Sequence, residues 1–423
     1  MLSQPRRPRQ TGGYVLDIRM TGIDYNRAPV EVRERFAMTR GAAAVAMERL
    51  RADGGAQGCV ILSTCNRTEL WICGGKLLPY EALCDVCGVD PAEYRDCFLD
   101  RAGREAAEHL FALACGLKSQ VFGEDQIITQ VGDALALARG CGAAGPVLET
   151  LFRMAVTAAK RVKTDVRLTA ADRSVAASTV AFLRGKLGTL DGLPCMVIGN
   201  GEMGRLAASA LVAEGCDVLM TVRQYHHGEV CIPDGAQTIA YEKRLIYLPG
   251  MRVVVSATAS PHYTLRASDV APFPTPAILC DLAVPRDIDP ALADRPDLSL
   301  YDTDQICGRR PVRADYETLT QVREILQSCL AEFEAWYRFR EFIPAVGEIS
   351  ACAADDLLGR MQKPIHRLPL AQDDRDAFAG YLNQSAQKAV ARLLYGLREN
   401  LAPQLWKQCI EGLQKSAHGK EQV

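Results

Sequence analysis

The chain has 423 residues, 48% of them hydrophobic and 24% charged, which excludes a disordered or low-complexity chain and, at about 150 residues per domain, points to two or three folded domains. Forty-nine Lys and Arg stand against 51 Asp and Glu for a net charge of −2, so no global basic field advertises a nucleic acid and any polyanion site must be a local patch. Sixteen cysteines are too few for a secreted disulfide scaffold, residues 1–13 are basic with no apolar stretch among them, and no apolar run reaches the ~18 residues of a membrane helix, so a reducing cytoplasmic compartment and no membrane role are expected.

In chain order, the basic arm Arg6-Arg-Pro-Arg9 is either an RNA contact or an unstructured charged end. Short β-rich runs at 15–23, 58–63 and 69–73, with helical periodicity across 27–51, predict a small α+β domain over 14–165. Cys84 and Cys87 form a Cys-x-x-Cys, but no second pair follows at zinc spacing. A helix starting at Pro79 sets them one turn apart as packing residues, and no metal site is expected. Residues 101–183 are helical almost throughout, with a break at 140–145. Apolar strand patterns follow at 196–198, 218–222, 253–256 and 278–282, separated by helix-like or loop segments, which predicts a parallel sheet with crossovers over 166–306. Beyond Tyr301 one long helix is expected, ending near Pro344, with Leu319, Val322, Leu326, Cys329, Phe333 and Trp336 as a heptad-like seam. Amphipathic stretches at 348–361 and 374–399 complete a helical region over 307–423. The seam is expected to serve dimerisation, with packing inside one chain as the alternative.

Gly199, Asn200, Gly201, Glu202, Met203 and Gly204 read as Gly-x-Gly-x-x-Gly, directly after the 196–198 strand and opening a helix. In that context the glycines allow a tight turn, close approach of a pyrophosphate and close helix–strand packing, which predicts a Rossmann-type dinucleotide site. The strand at 218–222 ends in Arg223, where a carboxylate would hold a ribose hydroxyl. A guanidinium suits a 2′-phosphate, which points to NADPH; the alternative is a solvated loop arginine. Residues 225–235 carry two Gly and a Pro where a crossover helix is expected, which points to an abbreviated unit.

Cys65 differs from the other cysteines. It stands in Leu62-Ser-Thr-Cys-Asn-Arg-Thr-Glu69, a polar loop between two strands with Arg67 close by, and a nearby cation favours the nucleophilic thiolate.

Eight blocks in one order resemble the glutamyl-tRNA reductase family. They are Gly22-Ile-Asp-Tyr-Asn-Arg-Ala-Pro-Val-Glu-Val-Arg-Glu-Arg35, Ser63-Thr-Cys-Asn-Arg-Thr-Glu69, Ser119-Gln-Val-Phe-Gly-Glu-Asp-Gln-Ile127 with Gln130, Ala159-Lys-Arg-Val-Lys163, the glycine loop, Ser256-Ala-Thr-Ala-Ser-Pro261, Asp281-Leu-Ala-Val-Pro-Arg-Asp-Ile-Asp-Pro290 and Tyr301-Asp-Thr-Asp304. The resemblance implies a V-shaped homodimer, each chain with an N-terminal α+β catalytic domain, a Rossmann-type NADPH-binding domain and a long spinal helix leading to a C-terminal helical dimerisation domain. It implies that Cys65 attacks the ester of glutamyl-tRNA(Glu), and that NADPH reduces the resulting thioester to glutamate-1-semialdehyde, the first step of five-carbon tetrapyrrole biosynthesis. By position, His109 would be a proton donor or ester-polarising group and Arg67 a clamp for the substrate carboxylate. Thr64, Asn66, Ser119, Glu124, Asp125, Gln126 and Gln130 would line the pocket, with Glu124 suited to the α-ammonium. Glutamate-1-semialdehyde aminomutase, the next enzyme, is an implied partner.

The chain departs from the family in Asp24-Tyr25 for the usual Asn-His, in Val222 and Gln224 around Arg223, and in the C-terminal helices. Two rival readings are a shikimate-dehydrogenase-like oxidoreductase, which needs a Lys-Asp pair that is not evident, and a non-catalytic nucleotide-sensing tRNA-binding dimer.

Overall fold

The structure, a computed structural model, describes residues 16–119, 126–166, 175–223, 231–308 and 316–418. The chain divides into two compact units, Met1–Phe333 and Glu334–Val423.

The first unit holds two sheets. Its N-terminal sheet is built from β1 (Ile18–Asp24), β2 (Gly58–Ser63), β3 (Arg67–Cys73) and β4 (Leu99–Ala102) in the order β2-β3-β1-β4, antiparallel throughout. Every residue of β3 is buried, because helices cover the sheet. These are α1 (Val30–Arg33), α2 (Arg40–Gly54), α3 (Pro79–Cys87), α4 (Gly103–Ala114), α5 (Gln126–Gly140) and α6 (Gly145–Asp165). Local chemistry sets several ends. Thr39 caps α2 by accepting from the Ala42 N–H, and α3 opens on Pro79 and stops at Gly88 in the left-handed region. Cys84 is buried in α3, and burial pushes the Cys87 thiol up to about 12, as suits packing residues.

The second sheet is parallel. Its strands are β5 (Pro194–Ile198), β6 (Asp217–Val222), β7 (Gln237–Ala240), β8 (Val253–Ser256), β9 (Ala277–Asp281) and β10 (Leu298–Asp302), in the order β10-β9-β8-β5-β6-β7. Alternation along the strands feeds two cores. Cys195 and Val197 pack with α7 (Val175–Leu187) and α8 (Glu202–Ala213), while Met196 and Ile198 pack with Leu248, Leu265 and Leu292. This second face is roofed by 3₁₀ turns and the four-residue α9 (Arg244–Tyr247). Between β6 and β7 the described residues 223 and 231–236 contain no helix, and most of the stretch expected to be an abbreviated unit, 225–230, lies outside the described residues. A capping box at Asp302 and Gln305 starts α10 (Thr303–Cys307).

The long helix α11 (Tyr316–Phe339) ends five residues before Pro344, which instead lies in the first turn of α12 (Ile343–His366). Part of its seam is covered within the chain: Val322, Cys329 and Phe333 are buried. Leu319, Leu326 and Trp336, the other three residues of the seam, are half-buried. In the second unit α12, α13 (Gln372–Asn400) and α14 (Pro403–His418) enclose Phe339, Val346, Ile349, Leu394, Trp406 and Ile410. On α13, Tyr381 and Leu393 remain 72% and 74% exposed. Among the described residues no helix is long and apolar enough to cross a membrane.

Candidate active site

The hairpin between β2 and β3 lifts Thr64, Cys65 and Asn66 out of the first sheet, and the Thr64 N–H donates to the Arg67 carbonyl at 2.8 Å. Ser63, Thr64 and Cys65 form one wall of an open cleft of about 370 Å³, with Gln126 and Gln130 of α5 beside them. The facing wall comes from the carboxyl ends of the parallel strands: residues 201–203, 257–259 and 282–285. The expected nucleophile and the expected dinucleotide loop thus share one cavity. Cys65 is half-buried, and its carbonyl accepts a hydrogen bond from Arg33 Nη1 at 2.6 Å.

Arg67 and His109 lie elsewhere. Arg67, Glu69 and Trp71 alternate along one face of β3, and all three are buried. The Glu69 carboxylate accepts from Arg67 Nη1 at 3.1 Å and Trp71 Nε1 at 3.2 Å, and lies 2.9 Å from His109 Nε2. Burial pushes this carboxyl up, but the charge and hydrogen bond of His109, then those of Arg67, outweigh it and hold it down at about 2. His109 Nδ1 is buried without a partner among the described residues, and its ring stacks on Trp71 at 6.0 Å. Neither Arg67 nor His109 lines the cleft among the described residues. Both contact Glu69 behind the loop, a residue to which the sequence pattern assigned no role.

The same cluster secures the 118–119 segment. Arg67 Nη2 donates to the Lys118 carbonyl, and the buried Tyr25 hydroxyl donates to the Ser119 carbonyl at 3.2 Å. The Tyr25 N–H also donates to the Asn66 carbonyl at 3.0 Å. The departure at Tyr25 is therefore built into the support of the loop. Asn66 and Ser119 are buried, and Glu124 and Asp125 lie outside the described residues.

The glycine loop satisfies the requirements of a dinucleotide site. Gly199 has φ +110°, and a Cβ there would meet the Ala257 carbonyl oxygen at 2.5 Å; at Gly204 it would meet the Gly199 oxygen at 2.0 Å. These two glycines are demanded by the fold itself. At Gly201 a Cβ would meet nothing within 4 Å, so the loop leaves an open place at the start of α8, where Gly201 offers no side-chain cap to the first N–H groups. An anion fits there. The Gly199 N–H is fixed by Thr221 Oγ1 at 3.1 Å, and the Asn200 carbonyl accepts from Arg205. Glu202 and Met203 line the cleft.

Beyond the loop, Arg223 lies over the Tyr241 ring, its guanidinium carbon 4.0 Å from the ring centroid, and Arg244 approaches the same ring at 4.0 Å. The pairing of Val222 with Ala240 explains the neighbours. Arg244 escaped the sequence reading because β7 did. Gln224 lies outside the described residues.

Two buried carboxyls shape the facing wall. Asp287 accepts from the Ser256 hydroxyl, the Thr258 N–H and the Thr258 hydroxyl, while Asp281 accepts from the N–H groups of Ala283 and Ile288. Burial, and then the charge of Asp287, push Asp281 up to about 8. Both residues belong to the block Asp281–Pro290, but nothing in its spacing assigns them a role.

Residues 21–166 match the family model described as Glutamyl-tRNAGlu reductase, N-terminal domain, and residues 182–308 match that described as Shikimate / quinate 5-dehydrogenase. The chain is 42% identical over 329 residues to a glutamyl-tRNA reductase of Acetivibrio thermocellus, covering 77% of this chain and 98% of that one. It is 38% identical over 330 residues to one of Alkaliphilus oremlandii, again covering 77% and 98%. Among solved structures, a glutamyl-tRNA reductase from Methanopyrus kandleri matches with a TM-score of 0.44 at 24% identity, covering 95% of this chain and 99% of that one.

Proposed function

The chain belongs to the glutamyl-tRNA reductase family, and from that premise we propose that it reduces glutamyl-tRNA(Glu) to glutamate-1-semialdehyde with NADPH, releasing tRNA, as the first step of five-carbon tetrapyrrole biosynthesis. The observation that carries the reading is the shared cleft, in which the thiol-bearing loop faces the glycine loop.

In this reading the Cys65 thiolate attacks the carbonyl carbon of the aminoacyl ester. A C–S bond forms, the bond to the ribose oxygen breaks, and the departing oxygen takes up a proton. The thioester left on Cys65 has weaker resonance than the ester or a carboxylate, so its carbonyl carbon accepts a hydride where a free acid would not. NADPH, held by the glycine loop, the start of α8 and Arg223, supplies that hydride when bound. The C–S bond then breaks, and sulfur leaves as the thiolate that began the cycle. Thr64, Gln126 and Gln130 are the polar side chains at hand to orient the substrate in the cleft. Arg67 and His109 act through the Glu69 cluster, which holds the loop and the 118–119 segment. Glu124 keeps the role of meeting the α-ammonium.

Arg223 and Arg244, both held at the Tyr241 ring, favour a 2′-phosphate and hence NADPH over NADH. Exposed apolar side chains of α13 suit a homodimer contact, and the functional division into 14–165, 166–306 and 307–423 is kept. A thiol nucleophile requires a reducing compartment, in keeping with the cytoplasm. The aldehyde product is the substrate that an aminomutase would take next.

The test is mass spectrometry of protein acid-quenched after incubation with glutamyl-tRNA and no NADPH. A glutamyl adduct on Cys65, lost in Cys65→Ser and consumed when NADPH is added, is expected. An adduct on another cysteine, or none in active enzyme, refutes the reading.

A further inference from the structure

The short helix α1 sits between the two sheets of the first unit and carries charges for both. Arg33 is 2% exposed. One guanidinium nitrogen donates to the carbonyl of Cys65 at 2.6 Å and another to Asp304 Oδ1 of α10 at 2.7 Å. The next residue, Glu34, receives Arg286 through Nε at 3.0 Å and Nη2 at 2.7 Å, and Glu31 receives the same guanidinium at 3.2 Å. Arg286 directly follows Pro285, which lines the cleft. One turn of helix thus presents a cation and two anions to an anion and a cation on the dinucleotide layer. Sequence separations of 271 and 252 show that these contacts join distant parts of the chain.

We propose that Arg33 is a positioning residue that couples the seating of the dinucleotide layer to the geometry of the nucleophile loop. A buried ion pair contributes little net stability, because desolvation of both charges offsets their attraction. What it does contribute is registration: a guanidinium is a rigid planar fork, and a fork that must satisfy Cys65 and Asp304 together fixes one against the other. When the layer is seated, Asp304 orients the fork that holds the Cys65 carbonyl. When the layer shifts, Nη2 loses its anion while Nη1 keeps the Cys65 carbonyl, so the loop holds its own shape but loses its register against the dinucleotide layer. Arg286 and the Glu31/Glu34 pair add a second, independent registration point on the same helix.

This inference rests on the thioester reading and splits that reaction in two. Acyl transfer to Cys65 uses the first layer alone, whereas reduction needs the layers in register. Asp304→Ala should therefore form the Cys65 adduct from glutamyl-tRNA, without NADPH, at close to the wild-type rate. Its adduct should then be consumed about tenfold to a hundredfold more slowly after NADPH is added, the loss that a displacement near 1 Å brings. Arg33→Ala should slow both steps. On the second pair, Glu34→Arg and Arg286→Glu should each slow consumption, and the double exchange should restore it, which a general loss of fold would not do. Adduct formation and decay are both read by mass spectrometry of the acid-quenched protein. If Asp304→Ala fails to fold, the Glu34 and Arg286 exchanges give the same reading. Consumption of the adduct at the wild-type rate in these variants overturns the coupling alone. An active wild type with unmodified Cys65 overturns the thioester reading and the coupling with it.

Discussion

Glu69 is the residue whose loss should be felt most. Its side chain is 3% exposed, and its carboxylate meets a guanidinium that is 1% exposed, an imidazole and an indole N–H. Glu69→Ala would leave the Arg67 charge buried without its carboxylate, a fault that costs about 3–5 kcal/mol. Such a loss is a large share of the roughly 5–15 kcal/mol that holds a domain together. Glu69→Gln keeps the volume and one acceptor oxygen while removing the charge, so about 2 kcal/mol is expected, in line with the loss of hydrogen bonds to charged groups. Urea unfolding at pH 7 measures both. The carboxyl is held at about 2 in the fold against an ordinary 4.5, so the unfolded chain takes up the proton first. The stabilisation is then complete above pH 4.5 and is lost as pH falls from there towards 2. Wild type should lose stability across that window more steeply than Glu69→Gln. Equal acid slopes, together with a loss under about 0.5 kcal/mol in Glu69→Gln, would refute the account of the cluster.

The remaining predictions concern the cofactor site and the chain's two units. Gly201→Ala should leave thermal stability unchanged and weaken NADPH binding, because its Cβ enters open space at the start of α8, whereas Gly204→Ala should lower both, because its Cβ meets a backbone oxygen at 2.0 Å; calorimetry of the two variants checks the contrast. Arg223→Ala should cost NADPH about ten- to a hundredfold in affinity, the worth of one charge-assisted phosphate contact, and leave NADH nearly unchanged; equal affinities in wild type would show that Arg223 does not meet a 2′-phosphate. A chain ending at Phe339 should scatter light as a monomer and still form the Cys65 adduct, and a dimeric product would move the interface into the first unit.

What the sequence discloses depends on how local its cause is. The bounds of β2 and β8 were legible to the residue because short runs of β-branched and apolar side chains end at Ser63 and Ser256. The glycine loop was legible because Gly199 and Gly204 answer to backbone contacts within one strand–turn–helix unit. By contrast β4 has a mixed, partly exposed pattern and β7 has no buried residue, so only their neighbours in the sheets make them strands. For Arg67 a local signal existed: the first residue of a strand shares a face with the residues two and four beyond it, here Glu69 and Trp71, and a carboxylate on that face competes for the guanidinium. The partner of Arg33 had no such signal, since nothing near position 33 points to position 304.

The α11 seam marks a further limit. A heptad stripe states that a helix face must be covered but is silent on the cover, and here Val322, Cys329 and Phe333 are buried by their own chain. The relatives from Acetivibrio thermocellus and Alkaliphilus oremlandii bear on the same point. They are matched over 98% of their own length but only 77% of this chain, while the two family models together reach residue 308. These relatives are thus matched almost whole by about three quarters of this chain. Every described residue that lines the cleft belongs to the first unit. On the proposed reading chemistry and assembly are separable in this chain: the residues assigned to acyl transfer and reduction belong to the first unit, whereas the exposed apolar side chains of α13 that suit a homodimer contact belong to the second.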